Sequence, residues 1–100
     1  GVFNVEIRKF SDDVKIPQIG WNTIKELQSP LFKGIEENTY MYLVHSYYAE
    51  NCSDTVAKSF YGRDYSVALQ KNNFFGVQFH PEKSGKAGEQ LLKNFLELTL

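Results

Sequence analysis

The sequence predicts an α/β fold, rich in strands and ending in one carboxy-terminal helix. Two observations carry that expectation. Short apolar and aromatic runs recur along the chain, separated by Gly, Pro, Asn and Asp, as strands and their turns require. From Gly85 onward the hydrophobic period changes from that of a strand to that of a helix.

The elements follow in order. Val2, Val5 and Ile7 alternate with Asn4, Glu6 and Arg8, the pattern of a strand exposed on one side. Ser11, Asp12 and Asp13 supply a polar turn before Pro17. Residues 16–27 begin extended and contain Gly20, which a strand accepts at a bulge or a close backbone approach. Residues 29–36, with Pro30 early and Gly34 late, predict one short helical turn. Residues 39–48 are almost continuously apolar and aromatic, the composition of a strand buried on both faces. Residues 55–62 and 65–70 read as two further strands joined by a hairpin-type turn at Gly62, Arg63 and Asp64, and residues 74–79 as the last strand. The helix then runs from Gly85 to the end. Gly88, Leu91, Leu92, Phe95 and Leu96 share one face, away from Lys86, Glu89, Lys93 and Glu97. Ser84 is placed to cap it, although Ala87 stands where a capping box calls for Glu.

Composition narrows the function. With 42% hydrophobic and 23% charged residues among 100, the chain reads as an ordinary soluble sequence of at most one domain. Its 11 basic and 12 acidic residues are well mixed, so no basic stripe awaits a nucleic acid. No apolar stretch approaches the roughly 20 residues that cross a bilayer, and no amino-terminal signal segment is legible, so no membrane partner is expected. A single cysteine excludes an internal disulfide and fits a reducing compartment, by default the cytoplasm. The chain opens at Gly1 directly into a strand pattern, and its many strands are matched by one helix. Both features predict a cut inside a longer polypeptide, with a missing half.

The residues with the clearest chemistry are His80 and Glu82, flanking Pro81 at the end of the last apolar run. Residues two apart on a strand share a face, so an imidazole and a carboxylate stand side by side. That is the base and orienter of a nucleophilic triad; by spacing alone it reads more readily as a surface ion pair or a capping arrangement. The nucleophile is lacking. Cys52 is flanked by Glu50 and Asp54, whose charges disfavour a thiolate, and no glycine elbow surrounds it. Ser84 follows the pair too closely to be attacked by that base. Two histidines 35 positions apart and one cysteine make no zinc spacing, and no glycine-rich phosphate cradle exists, so neither a metal nor a cofactor is expected.

The segment FFGVQFHPEKS, followed by a helix, resembles the carboxy-terminal signature of class I, triad-type glutamine amidotransferases. Together with PQIGWNTI (17–24) and YLVHSYYAE (42–50), it most resembles the glutaminase subunits of imidazole glycerol phosphate synthase. The resemblance spans essentially all 100 residues but only the carboxy-terminal half of a family member. It implies the corresponding half of a flavodoxin-like amidotransferase domain, without the half that bears the nucleophilic cysteine. It further implies that His80 is the general base, Glu82 its orienter, and Ser46 and Tyr47 the segment holding the amino-acid end of glutamine. Trp21, Asn22, Tyr42 and Lys83 would lie at or near the face docking on a cyclase partner, a (β/α)8 barrel. No cofactor is implied. On their own, Trp21 reads as core or rim, Tyr42 as core or interface, Ser46 and Tyr47 as a strand end, Lys83 as a solvated lysine. His45, inside a buried strand, reads as a hydrogen-bonded structural histidine. A paralogue serving another synthase and a non-catalytic binding domain are the competing expectations.

Overall fold

The computed structural model describes residues 3–99; Val2, part of the first strand pattern, lies outside them. The chain forms two sheets covered by one helix. β1 (Ile7–Lys9), β4 (Tyr47–Ala49), β5 (Thr55–Phe60), β6 (Asp64–Lys71) and β7 (Phe74–Val77) make a five-stranded sheet. β2 (Gln18–Ile24) and β3 (Thr39–His45) pair with each other as a separate ladder. All the pairings are antiparallel. One 3-10 turn spans Pro30–Phe32, another Pro81–Lys83, and α1 spans Gly85–Thr99.

β6 is the centre of the large sheet. It pairs with β5 on one side and with β4 and β7 over successive stretches, and Tyr65 through Leu69 are all buried. A strand enclosed in this way is a continuous apolar run, as the sequence VAL suggests. Its side chains meet Phe10, Ile24, Met41, Leu43, Phe79 and Leu91 in one core between the sheets and the helix.

The structure corrects four expectations. The first strand is only Ile7–Lys9, exposed throughout and paired to β4, rather than an alternating half-buried strand. β3 is buried on one face only: Met41, Leu43 and His45 point inward while Tyr40 and Val44 are exposed. Its apolar outer residues gave the sequence its false appearance of two-sided burial. Gly20 sits within an unbroken β2–β3 register, with nothing near its missing Cβ; its φ of +127°, not a bulge or a close approach, calls for glycine. On α1, Gly88, Leu91 and Asn94 are buried, whereas Leu92, Phe95 and Leu96 remain largely exposed.

Asn94 is inward because it has work a leucine cannot do. Its Nδ2 donates to the carbonyls of Leu31 at 2.9 Å and Lys33 at 2.7 Å, fastening the helix to the first 3-10 turn. Unpaired buried carbonyls would cost about 1–3 kcal/mol each, which outweighs the apolar burial forgone. Among the described residues, no helix is long and apolar enough to cross a membrane.

Gly88 sets how closely the helix approaches the second 3-10 turn. A Cβ there would lie 1.9 Å from the Pro81 carbonyl oxygen and 2.8 Å from its carbon. Alanine recovers at most about 1 kcal/mol of helix propensity, whereas overpacking against backbone costs about 1–3 kcal/mol. Gly88→Ala is therefore expected to lower stability in urea unfolding and to displace Pro81–Lys83. An unchanged midpoint would show that the turn yields without cost.

Candidate active site

Beyond β7 the chain leaves the large sheet and crosses to β3. Gln78 N–H still donates to Val67 O at 2.9 Å, but His80 N–H donates to Tyr42 O, also at 2.9 Å. Pro81–Lys83 then turns in 3-10 geometry, with His80 at its start in extended backbone. Pro81 fits that first position because its fixed φ suits the turn and its missing N–H has no partner to find.

Ser84 closes the turn back onto the strand. Its Oγ accepts from Tyr42 N–H at 3.0 Å and donates to His80 O at 2.6 Å. Its side chain is thus committed to the strand, and it is the Ser84 carbonyl that accepts the Gly88 N–H at 3.3 Å. The expected side-chain cap is absent for that reason. Both hydrogen-bonding groups of the Tyr42 peptide are now held by residues 80–84.

His80 and Glu82 do come together, with Nδ1 3.4 Å from the Glu82 carboxylate. The cause differs from the one read in the sequence. β7 ends at Val77, so the turn, not the alternation of a strand, sets the two side chains side by side. The separation is an ion-pair contact somewhat longer than a hydrogen bond. Both side chains are accessible, at 40% and 55% exposure. With Glu82 on Nδ1, Nε2 is the ring nitrogen this contact leaves over.

Ser46 lies between β3 and β4, and Tyr47 opens β4. Their carbonyls are both engaged: Ser46 O accepts from Phe10 N–H at 3.0 Å, and Tyr47 O from His45 Nδ1–H at 2.7 Å. His45 is buried, as expected of a structural histidine. Its Nε2 lies 2.8 Å from the end of the Gln18 amide and 3.3 Å from the Tyr65 hydroxyl. Burial pushes its pKa below the usual imidazole value; the Tyr47 carbonyl opposes that shift and His80 adds a little to it. Burial likewise pushes the Tyr65 phenol up. Gln18 and Tyr65 escaped the sequence reading. The one signal was a polar residue, Gln18, directly across the ladder from His45 on the inward face.

Of the residues expected at a docking face, Trp21 and Tyr42 are direct cross-strand partners, with ring centroids 5.8 Å apart edge to face. Trp21 is 55% exposed, which resolves the choice between core and rim in favour of the surface. Ile19, Tyr40 and Val44 extend the same outer face of the ladder. Asn22 is not part of it. Its Nδ2 donates to Phe60 O at 2.7 Å and its Oδ1 accepts from Thr23 N–H, tying β2 to β5. Lys83 ends the 3-10 turn, exposed. Cys52 lies in the turn before β5, its N–H bonded to Thr55 Oγ1 at 2.8 Å.

Residues 6–98 match the family model described as glutamine amidotransferase class-I. The chain belongs to that family. It is 48% identical, over 101 aligned positions, to the imidazole glycerol phosphate synthase subunit HisH of Bacteroides fragilis, covering 98% of this chain and 52% of that protein. The HisH of Methanocaldococcus jannaschii is 45% identical over 98% of this chain and 51% of its own length. A solved structure of a putative GMP synthase protein from Thermoplasma acidophilum superposes with a TM-score of 0.74 at 19% identity. It covers 95% of this chain and 48% of that one, and shows a shared fold. The α/β class expected from the sequence agrees with it. The chain spans about half the length of the curated relatives it matches.

The depressed His45 pKa has a consequence for stability. An unfolded imidazole titrates near 6.5, so below that pH the unfolded chain binds a proton that the folded chain resists. Stability is therefore expected to hold above about pH 6.5 and to fall as the pH drops toward the lowered folded value. Urea midpoints between pH 5 and 8 check this. The decline should shrink in His45→Asn, and an equal decline in both would assign it to other groups.

Proposed function

We propose that this chain carries the base and orienter of a glutaminase: the subunit of imidazole glycerol phosphate synthase that hydrolyses glutamine to glutamate and ammonia for histidine biosynthesis. The observation behind the reading is the His80–Glu82 pair, set at 3.4 Å by a turn fastened to β3, in a chain 48% identical to a HisH. The cysteine nucleophile belongs to the other half of the protein, which we infer from the relatives' greater length.

In this mechanism Glu82 holds the imidazole with its hydrogen on Nδ1, and Nε2 accepts the thiol proton. The thiolate attacks the side-chain carbonyl of glutamine, and the imidazolium returns the proton to the departing ammonia. A γ-glutamyl thioester remains. Water, deprotonated by the same nitrogen, cleaves it to glutamate and restores the thiol. Splitting one difficult amide hydrolysis into two steps is the advantage of covalent catalysis. Ser46 and Tyr47 hold the amino-acid end of glutamine through backbone groups. The reaction calls for no cofactor, and the setting is cytoplasmic.

Ammonia released into water at neutral pH is protonated and lost as a nucleophile, so the product has to pass directly to an acceptor enzyme. The partner we propose is the cyclase of the same synthase, with a (β/α)8 barrel docked on the outer face of the β2–β3 ladder. An exposed Trp21–Tyr42 pair suits this, since Trp and Tyr combine large contact area with a polar handle. Lys83 adds a positive charge beside the catalytic turn. Asn22 lies off that face and supports it from behind by tying β2 to β5.

In the enzyme completed by its cysteine-bearing half, His80→Ala is expected to reduce glutamine turnover roughly a thousandfold or more, with folding and docking nearly intact. Glu82→Gln is expected to cost less, because it keeps a hydrogen-bonding side chain and loses only the charge supporting imidazolium. Substantial turnover by the first variant, or parental turnover by the second, would contradict the triad. Trp21→Ala is expected to weaken docking on the cyclase about 30-fold in calorimetry, the scale of an interface anchor. An unchanged dissociation constant would move the interface elsewhere.

A further inference from the structure

We propose that Gln18 and His45 are a positioning pair for the segment that binds glutamine: the Gln18 amide donates to one imidazole nitrogen and so keeps the hydrogen on the other, and that N–H holds the Tyr47 carbonyl in place. The inference rests on the reading of Ser46 and Tyr47 as the substrate segment.

The reasoning starts from the partners of the ring. Nδ1 lies 2.7 Å from the Tyr47 carbonyl, which only accepts, so Nδ1 bears a hydrogen. If the amide oxygen of Gln18 also faced Nε2 at 2.8 Å, that nitrogen would need a hydrogen as well, and the ring would be an imidazolium. Among the described residues, nothing near the ring favours a buried cation. The titratable groups facing the ring are Tyr65 on β6 and His80, neither of them anionic, and the edge of the Phe10 ring packs beside it. The two ends of an amide have nearly the same shape, so Gln18 serves with its NH2 turned inward. Its two hydrogens then have two acceptors, His45 Nε2 at 2.8 Å and the Tyr65 hydroxyl at 3.0 Å. The ring is neutral and the tautomer fixed.

The opposite tautomer would aim the Nδ1 lone pair at the Tyr47 carbonyl across 2.7 Å and push the two apart. Gln18 thus acts on the substrate segment through His45 without touching it. Its location has a further implication. Gln18 opens β2, the strand whose outer face carries Trp21, so the docking face and the substrate segment share one ladder.

The test uses the completed enzyme with two variants, Gln18→Met and Gln18→Glu. Methionine keeps the volume and removes the donor. KM for glutamine is expected to rise roughly tenfold, the effect of one lost hydrogen bond, while kcat stays within about threefold. Glutamate accepts from Nε2–H and stabilises the imidazolium, which still donates through Nδ1. Its KM is therefore expected to stay near the parent's while the His45 pKa, followed by ring nitrogen NMR, rises. Parental KM in Gln18→Met, or kcat falling in step with thermal stability in both variants, would overturn the inference and leave a merely structural glutamine. If the parent itself hydrolyses no glutamine, the underlying reading fails. Ring nitrogen NMR then decides the tautomer alone: hydrogen on Nδ1 in the parent and mixed tautomers in Gln18→Met support the pair, and identical spectra refute it.

Discussion

The peptide of Tyr42 is held at both ends by one turn, and the candidate site depends on that attachment. Its carbonyl accepts from His80 N–H and its N–H donates to Ser84 Oγ, which in turn donates to the His80 carbonyl. A turn of three residues has little rigidity of its own. Closed against a strand by two hydrogen bonds and across itself by a third, it presents His80 and Glu82 on a fixed base. The same bonds use the strand edge that β2 does not cover, so the attachment also protects β3 from an unpaired edge.

This arrangement puts three functions on one strand. The outward side chain of Tyr42 meets Trp21 at the proposed docking face. Its backbone fastens the turn bearing the proposed base. Three residues on, His45 faces inward and holds the Tyr47 carbonyl in the proposed substrate segment. The inward and outward roles follow from the two-residue period of a strand, and the backbone role from the direction of its edge groups. A shift of β3 along β2 would move all three together, a physical route by which the proposed docking would reach the proposed chemistry.

Much of this is legible in the sequence. The period change at Gly85 marks a helix that does begin there, and the GRD turn joins two strands as expected. His80 and Glu82 can be paired from spacing, yet for a different reason than alternation along a strand. Spacing of two fits both a strand and the step from the residue capping a 3-10 turn to the second residue inside it, and Pro81 is the clue to the turn. The helix face departs from expectation at Asn94, because a polar residue inside an apolar stripe declares its role only when its carbonyl partners, more than 60 residues earlier, are in view. Gln18 is hidden for the same reason: its partners on β3 and β6 are distant in sequence. Ser84 has the spacing of a local cap, and its hydroxyl goes instead to a strand 42 residues away.

The most direct test compares glutamine hydrolysis by the completed enzyme with that of Ser84→Ala. Removing one hydroxyl leaves Tyr42 N–H without its acceptor and frees the turn, with His80 and Glu82 still present. The expected result is ammonia release by the parent and a turnover lower by roughly tenfold or more in the variant, since small losses of alignment cost rate steeply. Equal turnover by the two proteins, or none by the parent, would contradict a site that works because its turn is fastened to the strand.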